Sequence, residues 1–505
     1  MTAQLPVKDL NLPGRFEKLE SASKGAGVDM SGIIQRVDAA CREIEIVLRE
    51  VRTSGLGRLQ ILHGTSGSGK TTFLYGLQYF FDNIDVIPVP KTIPVKEIAQ
   101  FIEQDALHRK EHRLYIVHDR DNPNETNPDL RICFEALRSF FRADVGKVLV
   151  VWPITDVDMA NHIAAIAWSI GRDSLLGTRG YTFKFDGLPK ESFVSVADTT
   201  TSSLNAGESL ESFGVGSGIA NDLARQSNTI GEFYSRLNAA SAERNASTIR
   251  LLKARVRPHI WIVVPGDDLK ELECTISNLT QGTRNRLDID KIAEFLDNKN
   301  NQSAYLTDWR ARRLDMAYLM RILDVRLFEL PPNAALAAIR SYGDSAIRES
   351  LQKKTESADN CGNVIGKVRL GRALLDAETP LSFHGRETSE EMTKEFMIIQ
   401  QLAGKSDKSL NKAVANALES FIQRSRPEVK VVSEKQTLTG SQLYPDIQIP
   451  HPDGSMICLE LTWRSTGKSL TVQRGERKPQ NTLTPGHIMK YLLDKVMEYV
   501  KDLGL

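Results

Sequence analysis

Eight residues, Gly64-Thr65-Ser66-Gly67-Ser68-Gly69-Lys70-Thr71, constrain this 505-residue chain more than any others. Glycines at that spacing let backbone pass close to a bulky anion, and a lysine followed by a hydroxyl residue supplies charge and a metal-binding oxygen. The context fits on both sides. Leu59-Gln60-Ile61-Leu62-His63 reads as a short buried strand and Thr71 to Phe81 as an amphipathic helix, so backbone N–H groups and the positive end of a helix converge on the loop. The pattern predicts a site for ATP with Mg2+. Gly64, Thr65, Ser66, Gly67, Ser68, Gly69, Lys70, Thr71 and Thr72 surround the phosphates, and the Thr71 hydroxyl meets the metal.

The next apolar runs are Arg113 to Val117 and Lys147 to Trp152, with a helical pattern from Asp129 to Arg142 between them, the alternation of a parallel sheet. Leu114-Tyr115-Ile116-Val117-His118-Asp119 ends in a carboxylate suited to hold Mg2+ through water, which makes Asp119 a metal candidate. Arg120 stands where a water-polarising glutamate is expected, and Asp121 is the candidate to replace it. With the lead-in helix from Ser31 to Arg52, the strand ending in Thr155 and the Phe183-Lys184-Phe185-Asp186-Gly187-Leu188-Pro189 segment, the chain resembles the AAA+ superfamily, specifically its branch of origin-recognition and STAND-type signalling ATPases. The resemblance covers about 28–240. It implies that Thr155 senses nucleotide, that 191–257 form a loop and helical lid, and that Arg172 or Arg179 completes a neighbour's site in a homo-oligomer. Ala197 to Gly218, rich in Ser, Thr, Gly and Asn, reads as a mobile loop.

The second constellation lies in the hairpin Tyr444 to Arg464. Period-two alternation puts Ile457, Leu459, Leu461 and Trp463 on one face, and Cys458, Glu460, Thr462 and Arg464 on the other, with Asp446 near Glu460 on the partner strand. Two carboxylates so placed can share a divalent metal. Preceded by a helix at Ser409 to Arg424 and a strand at Val429 to Ser433, this hairpin resembles the PD-(D/E)xK nuclease fold. The resemblance implies Mg2+ on Asp446 and Glu460 and cleavage of a phosphodiester, with DNA as the expected nucleic-acid partner. Two departures stand out. Thr462 occupies the lysine position, leaving Lys435 or Lys468 to migrate into its role and Glu419 to add a third carboxylate, and the family's last strand is absent after the final helix.

Composition excludes other classes. A 41% apolar and 26% charged chain folds, no run approaches the roughly 20 apolar residues of a membrane span, and five scattered cysteines form no disulfide framework. A cytoplasmic protein is expected. The formal charge of +1 gives no basic coat, yet Lys405 to Lys490 holds thirteen Lys or Arg against eight Asp or Glu, suiting a phosphodiester backbone. The cluster Arg310-Ala311-Arg312-Arg313 reads as solvated helix surface. The expected fold is α/β: a P-loop NTPase with an AAA+-like parallel sheet at 29–190 after an N-terminal tail at 1–28, the lid at 191–257, a mainly helical middle domain at 258–380, and a restriction-endonuclease-like module at 381–505. An ATP-gated nuclease of the kind found in bacterial antiphage proteins is what these resemblances imply, with a non-cleaving DNA scaffold or loader, or a signalling ATPase recruiting a partner protein, as alternatives.

Overall fold

In the computed structural model the described residues are 8–107, 112–118, 120, 127–143, 147–178, 182–252, 256–282, 284–298, 303–353, 355–376, 388–433, 437–438, 441–466 and 482–505. They form two compact units, one built chiefly from Leu10–Leu210 and Val215–Ser241, the other from Ala242–Leu505 with Glu211–Gly214.

The first unit is a parallel five-stranded sheet. Its strands are β1 (Arg58–His63), β2 (Ile84–Pro88), β3 (His112–Ile116), β4 (Val148–Ile154) and β5 (Thr182–Lys184), in the order β2-β3-β4-β1-β5. Every residue of β4 is buried. The sequence Val-Leu-Val-Val-Trp-Pro-Ile has no polar face because helices cover both sides. Val148, Val150 and Trp152 pack with helix α3 (Asn127–Ala143) and α4 (Val157–Gly171), while Leu149 and Val151 pack with α1 (Asp38–Ser54) and α2 (Lys70–Phe80). His63, the last residue of β1, lies beside Ile154 and Lys184, so the chain leaves the sheet centre between two neighbouring strand ends.

The expected mobile loop after Ala197 is in part a helix, Phe193–Leu204. Its hydroxyls explain the difference. Thr200 donates to the Val196 carbonyl at 2.8 Å and Thr201 to the Ala197 carbonyl at 2.7 Å, so two buried threonines satisfy themselves within the helix and present their methyl groups to the core.

The second unit is a seven-stranded mixed sheet. Its strands are β6 (Pro258–Pro265), β7 (Thr280–Gln281), β8 (Arg286–Leu287), β9 (Arg326–Leu330), β10 (Val432–Ser433), β11 (Ile447–Pro450) and β12 (Met456–Leu461), ordered β10-β11-β12-β6-β9-β8-β7. This corrects the expected division at residue 380. β6 and β9 lie inside the supposed helical middle domain, yet β6 runs parallel to β12 over Met456↔Pro258 to Leu461↔Val263. Residues 258–380 and 381–505 therefore share one sheet and one pair of cores. A fully buried apolar strand such as β6 needs neighbours on both edges, and β12 and β9 provide them. β6 flanks β12 although it lies nearly 200 residues earlier in the chain.

Alternation along β12 divides the two cores as its sequence predicts. Ile457, Leu459, Leu461 and Trp463 join one core with α8 (Lys408–Gln423), reached after α5 (Ile230–Leu251), α6 (Leu269–Leu279) and α7 (Pro332–Tyr342). Cys458 faces the other core, under α9 (Pro485–Leu503). No helix among the described residues is long and apolar enough to cross a membrane.

Candidate functional sites

The loop from Gly64 to Gly69 follows β1 and ends at α2. Three close approaches fix its path. A side chain at Gly64 would put its Cβ 2.5 Å from the Phe185 carbonyl oxygen, and one at Gly187 would lie 2.7 Å from that of Ser68. At Gly231, in the first turn of α5, a Cβ would come 3.0 Å from the Gly67 Cα, and the Gly231 N–H donates to the Gly67 carbonyl at 3.0 Å. Gly67 and Gly69 adopt φ of 78° and 94°, which a side chain resists. The loop therefore passes between the end of β5 and the start of α5.

Lys70 folds over this loop. Its ammonium donates to the Gly64 carbonyl, to the Thr65 carbonyl at 3.1 Å and to Thr155 Oγ1 at 3.4 Å. Thr155 follows β4 directly, so two strand ends bring together residues 85 apart. Thr65, Ser66 and Gly67 are exposed, Thr71 and Thr72 half-buried, and Ser68 Oγ is buried without a hydrogen-bond partner among the described residues. An orphaned hydroxyl, a glycine cradle and an ammonium beside a helix N-terminus suit a polyphosphate with Mg2+. Valine at Gly231 is expected to weaken ATP binding about tenfold or more, since overpacking costs about 1–3 kcal/mol. Isothermal titration checks this, and wild-type affinity would show that the α5 contact does not shape the loop.

Asp119, Asp121 and Arg179 lie outside the described residues. Arg120 spends its guanidinium on the Lys91 carbonyl at 3.0 Å and on that of Ile93. Arg172 is exposed at the C-terminal end of α4 with φ of 45°. Arg313 forms a double contact with Asp297, at 2.5 and 3.1 Å, and Arg310 donates to the Leu296 carbonyl at 2.8 Å, so this part of the basic cluster is tied to its own surface.

In the second unit the pairing Ile447↔Leu459, extended by one residue, sets Asp446 opposite Glu460 on the α9 face. Asp446 accepts a hydrogen bond from the Leu461 N–H at 2.7 Å. Glu460, 2% exposed, accepts from the Tyr499 hydroxyl at 2.7 Å and lies 3.5 Å from the Lys495 ammonium. Burial pushes the Asp446 carboxyl up to about 8, and the Glu460 charge adds to the effect. Burial likewise raises Glu460. Asp407, the N-cap position of α8, also raises Asp446 by its charge, and it raises Tyr491 as well. Two opposed carboxylates whose ionised forms are disfavoured by burial and by each other are suited to a divalent cation, which would relieve both. Among the described residues no group of three or more His, Cys, Asp or Glu is placed to hold a metal.

Thr462 sits on the same face, where its hydroxyl accepts from Arg464 Nε at 2.8 Å. Lys435 and Lys468 lie outside the described residues. Glu419, the expected third carboxylate, accepts a hydrogen bond from Gln423 on its own helix at 3.2 Å, while Asp407 is the carboxylate whose field reaches Asp446. Sequence reasoning missed Tyr491, Lys495 and Tyr499. Their four-residue spacing on α9 was the available signal, because it places all three on one helix face.

No known family matches the chain, and no curated protein matches it in sequence. Among solved structures, a chain in a structure of Drosophila ORC bound to DNA aligns with 62% of this chain and 80% of its own length, at 13% identity and a TM-score of 0.30. A likeness of that size is too slight to fix a fold.

Proposed function

We propose that this chain is an ATP-binding, AAA+/STAND-like switch whose nucleotide state gates a metal-dependent, nuclease-like centre acting on nucleic acid, DNA in the first instance. The parallel sheet, the glycine cradle and the reach of Lys70 to Thr155 support the nucleotide half. Asp119 and Thr71 would hold Mg2+ there, with Asp121 orienting water and Arg172 or Arg179 reaching a neighbour's phosphates in a homo-oligomer. The observation that carries the effector half is the opposed pair of half-buried Asp446 and buried Glu460. A divalent cation held between them would supply an activated water and neutralise the leaving oxygen of a phosphodiester. Coupling has a covalent route: α5, whose Gly231 touches the phosphate loop, runs to Leu251, and the same segment enters β6 at Pro258. A switch over such an effector makes physical sense, because a constantly active nuclease damages its host, which suits a role in antiviral defence.

Nicking of supercoiled plasmid by the full chain with Mg2+ or Mn2+, lost in Asp446→Ala and Glu460→Ala, is the expected result. Thr462 at the lysine position favours a second reading, a non-cleaving DNA-binding scaffold or loader. Intact plasmid under every metal and nucleotide, with salt-dependent DNA binding retained, would establish that one instead.

A further inference from the structure

Thr462 cannot supply positive charge, and its hydroxyl is engaged by Arg464. The face it shares with Glu460 is nonetheless supplied with an ammonium from another element. Thr484 caps α9 by accepting from the His487 N–H, Pro485 opens its first turn, and Ile488, Leu492, Val496 and Val500 seat it on the second core. That docking turns Tyr491, Lys495 and Tyr499 toward the end of β12. Tyr491 donates to the Leu461 carbonyl at 3.4 Å, Tyr499 to Glu460 at 2.7 Å, and Lys495 Nζ stands 3.5 Å from Glu460 Oε2 and 3.3 Å from Glu498 Oε2.

Resting on the reading of Asp446 and Glu460 as a cation-holding pair, we infer that Lys495 supplies the positive charge missing at Thr462 and meets the scissile phosphate from the last helix. Accessibility separates it from Arg464, the other cation on this face among the described residues. The Lys495 side chain is 30% exposed, whereas Arg464 is 8% exposed and committed to Thr462. Reach favours it too, since a lysine carries its charge on a flexible four-carbon stem that can leave Glu460 for a phosphate oxygen. In the hydrolysis proposed, water oxygen bonds to phosphorus and the bond from phosphorus to the leaving sugar oxygen breaks. One water proton passes to solvent and the leaving oxygen takes one from solvent. Lys495 keeps its proton throughout and offsets the negative charge that builds on the phosphoryl oxygens. Glu498 holds the ammonium near the site between encounters.

The test compares wild type with Lys495→Met, Lys495→Arg and the double variant Lys495→Met/Thr462→Lys, all as full-length chains. Two readouts are taken: plasmid nicking with Mg2+, and affinity for a labelled oligonucleotide with Ca2+ at several salt concentrations. Lys495→Met is expected to nick about 100-fold more slowly and to bind the oligonucleotide about tenfold more weakly, with a shallower salt dependence. Lys495→Arg should keep part of both, and Thr462→Lys should restore at least a tenth of the nicking by returning an ammonium to the strand. Calcium titration of Lys495→Met, expected to show binding at least as tight as wild type once the ammonium no longer competes for Glu460, shows that the site is folded. Unchanged nicking and unchanged oligonucleotide affinity in Lys495→Met overturn the inference. Should wild type not nick at all, the cleavage reading fails, while a Lys495-dependent oligonucleotide affinity still upholds the phosphate contact.

Discussion

Lys70→Ala is expected to weaken binding of ATP with Mg2+ about 100-fold while leaving thermal stability almost unchanged. Both halves follow from what the ammonium touches. Without ligand it donates to two backbone carbonyls and the Thr155 hydroxyl, partners that water can replace at a half-buried position. With ligand it exchanges them for phosphate oxygens, where a hydrogen bond between charged groups is worth about 1.5–3 kcal/mol. Losing contacts to two oxygens costs about 3 kcal/mol, or about two decades of affinity. Fluorescent-nucleotide titration and a melting curve check both. Full affinity in the variant would remove the phosphate site from this account.

The acidic pair gives the second large effect, in stability. Burial holds the Asp446 carboxyl up at about 8 in the fold, against 3.8 for an ordinary aspartate. Between those values the folded chain holds a proton that the unfolded chain has released, so stability is fully present below about pH 4 and is lost as pH rises toward 8. Asp446 alone contributes a slope of at most about 1.4 kcal/mol for each pH unit. Mg2+ or Mn2+ should restore the loss, increasingly so as pH rises and the carboxyls release their protons. Asp446→Asn should flatten the slope and abolish the metal effect. Urea unfolding at pH 5, 6, 7 and 8, with and without metal, measures it; a stability that rises over that range through this site would contradict the assignment.

The readability of the two sites differed for a physical reason. The loop between β1 and α2 is local: strand, glycines, lysine and helix follow one another, and that order from Gly64 to Thr72 could be read from spacing alone. The parity of β12 was equally local, since Ile457, Leu459 and Leu461 must share a face whatever they pack against. Residues from distant segments stayed hidden. β6 reads as a buried strand by itself, but nothing in Pro258–Pro265 says that its neighbour is Met456–Leu461, because parallel pairing leaves no local trace. Lys495 was obscured in the same way. Its role depends on how α9 docks, and the line Tyr491, Lys495, Tyr499 is equally consistent with an ordinary helix surface. The Ser- and Thr-rich stretch from Ala197 is helical as far as Leu204 for yet another reason, as hydroxyls that favour loops in isolation become helix-compatible when buried and bonded one turn back.

Gating is the central claim, and one assay tests it most directly. Plasmid nicking by the full chain with Mg2+ is followed with ATP, with a non-hydrolysable ATP analogue and without nucleotide, beside Lys70→Ala with ATP. The account predicts that wild-type activity changes at least tenfold between the nucleotide states and that Lys70→Ala with ATP behaves as wild type without it. Equal cleavage in all four would contradict it.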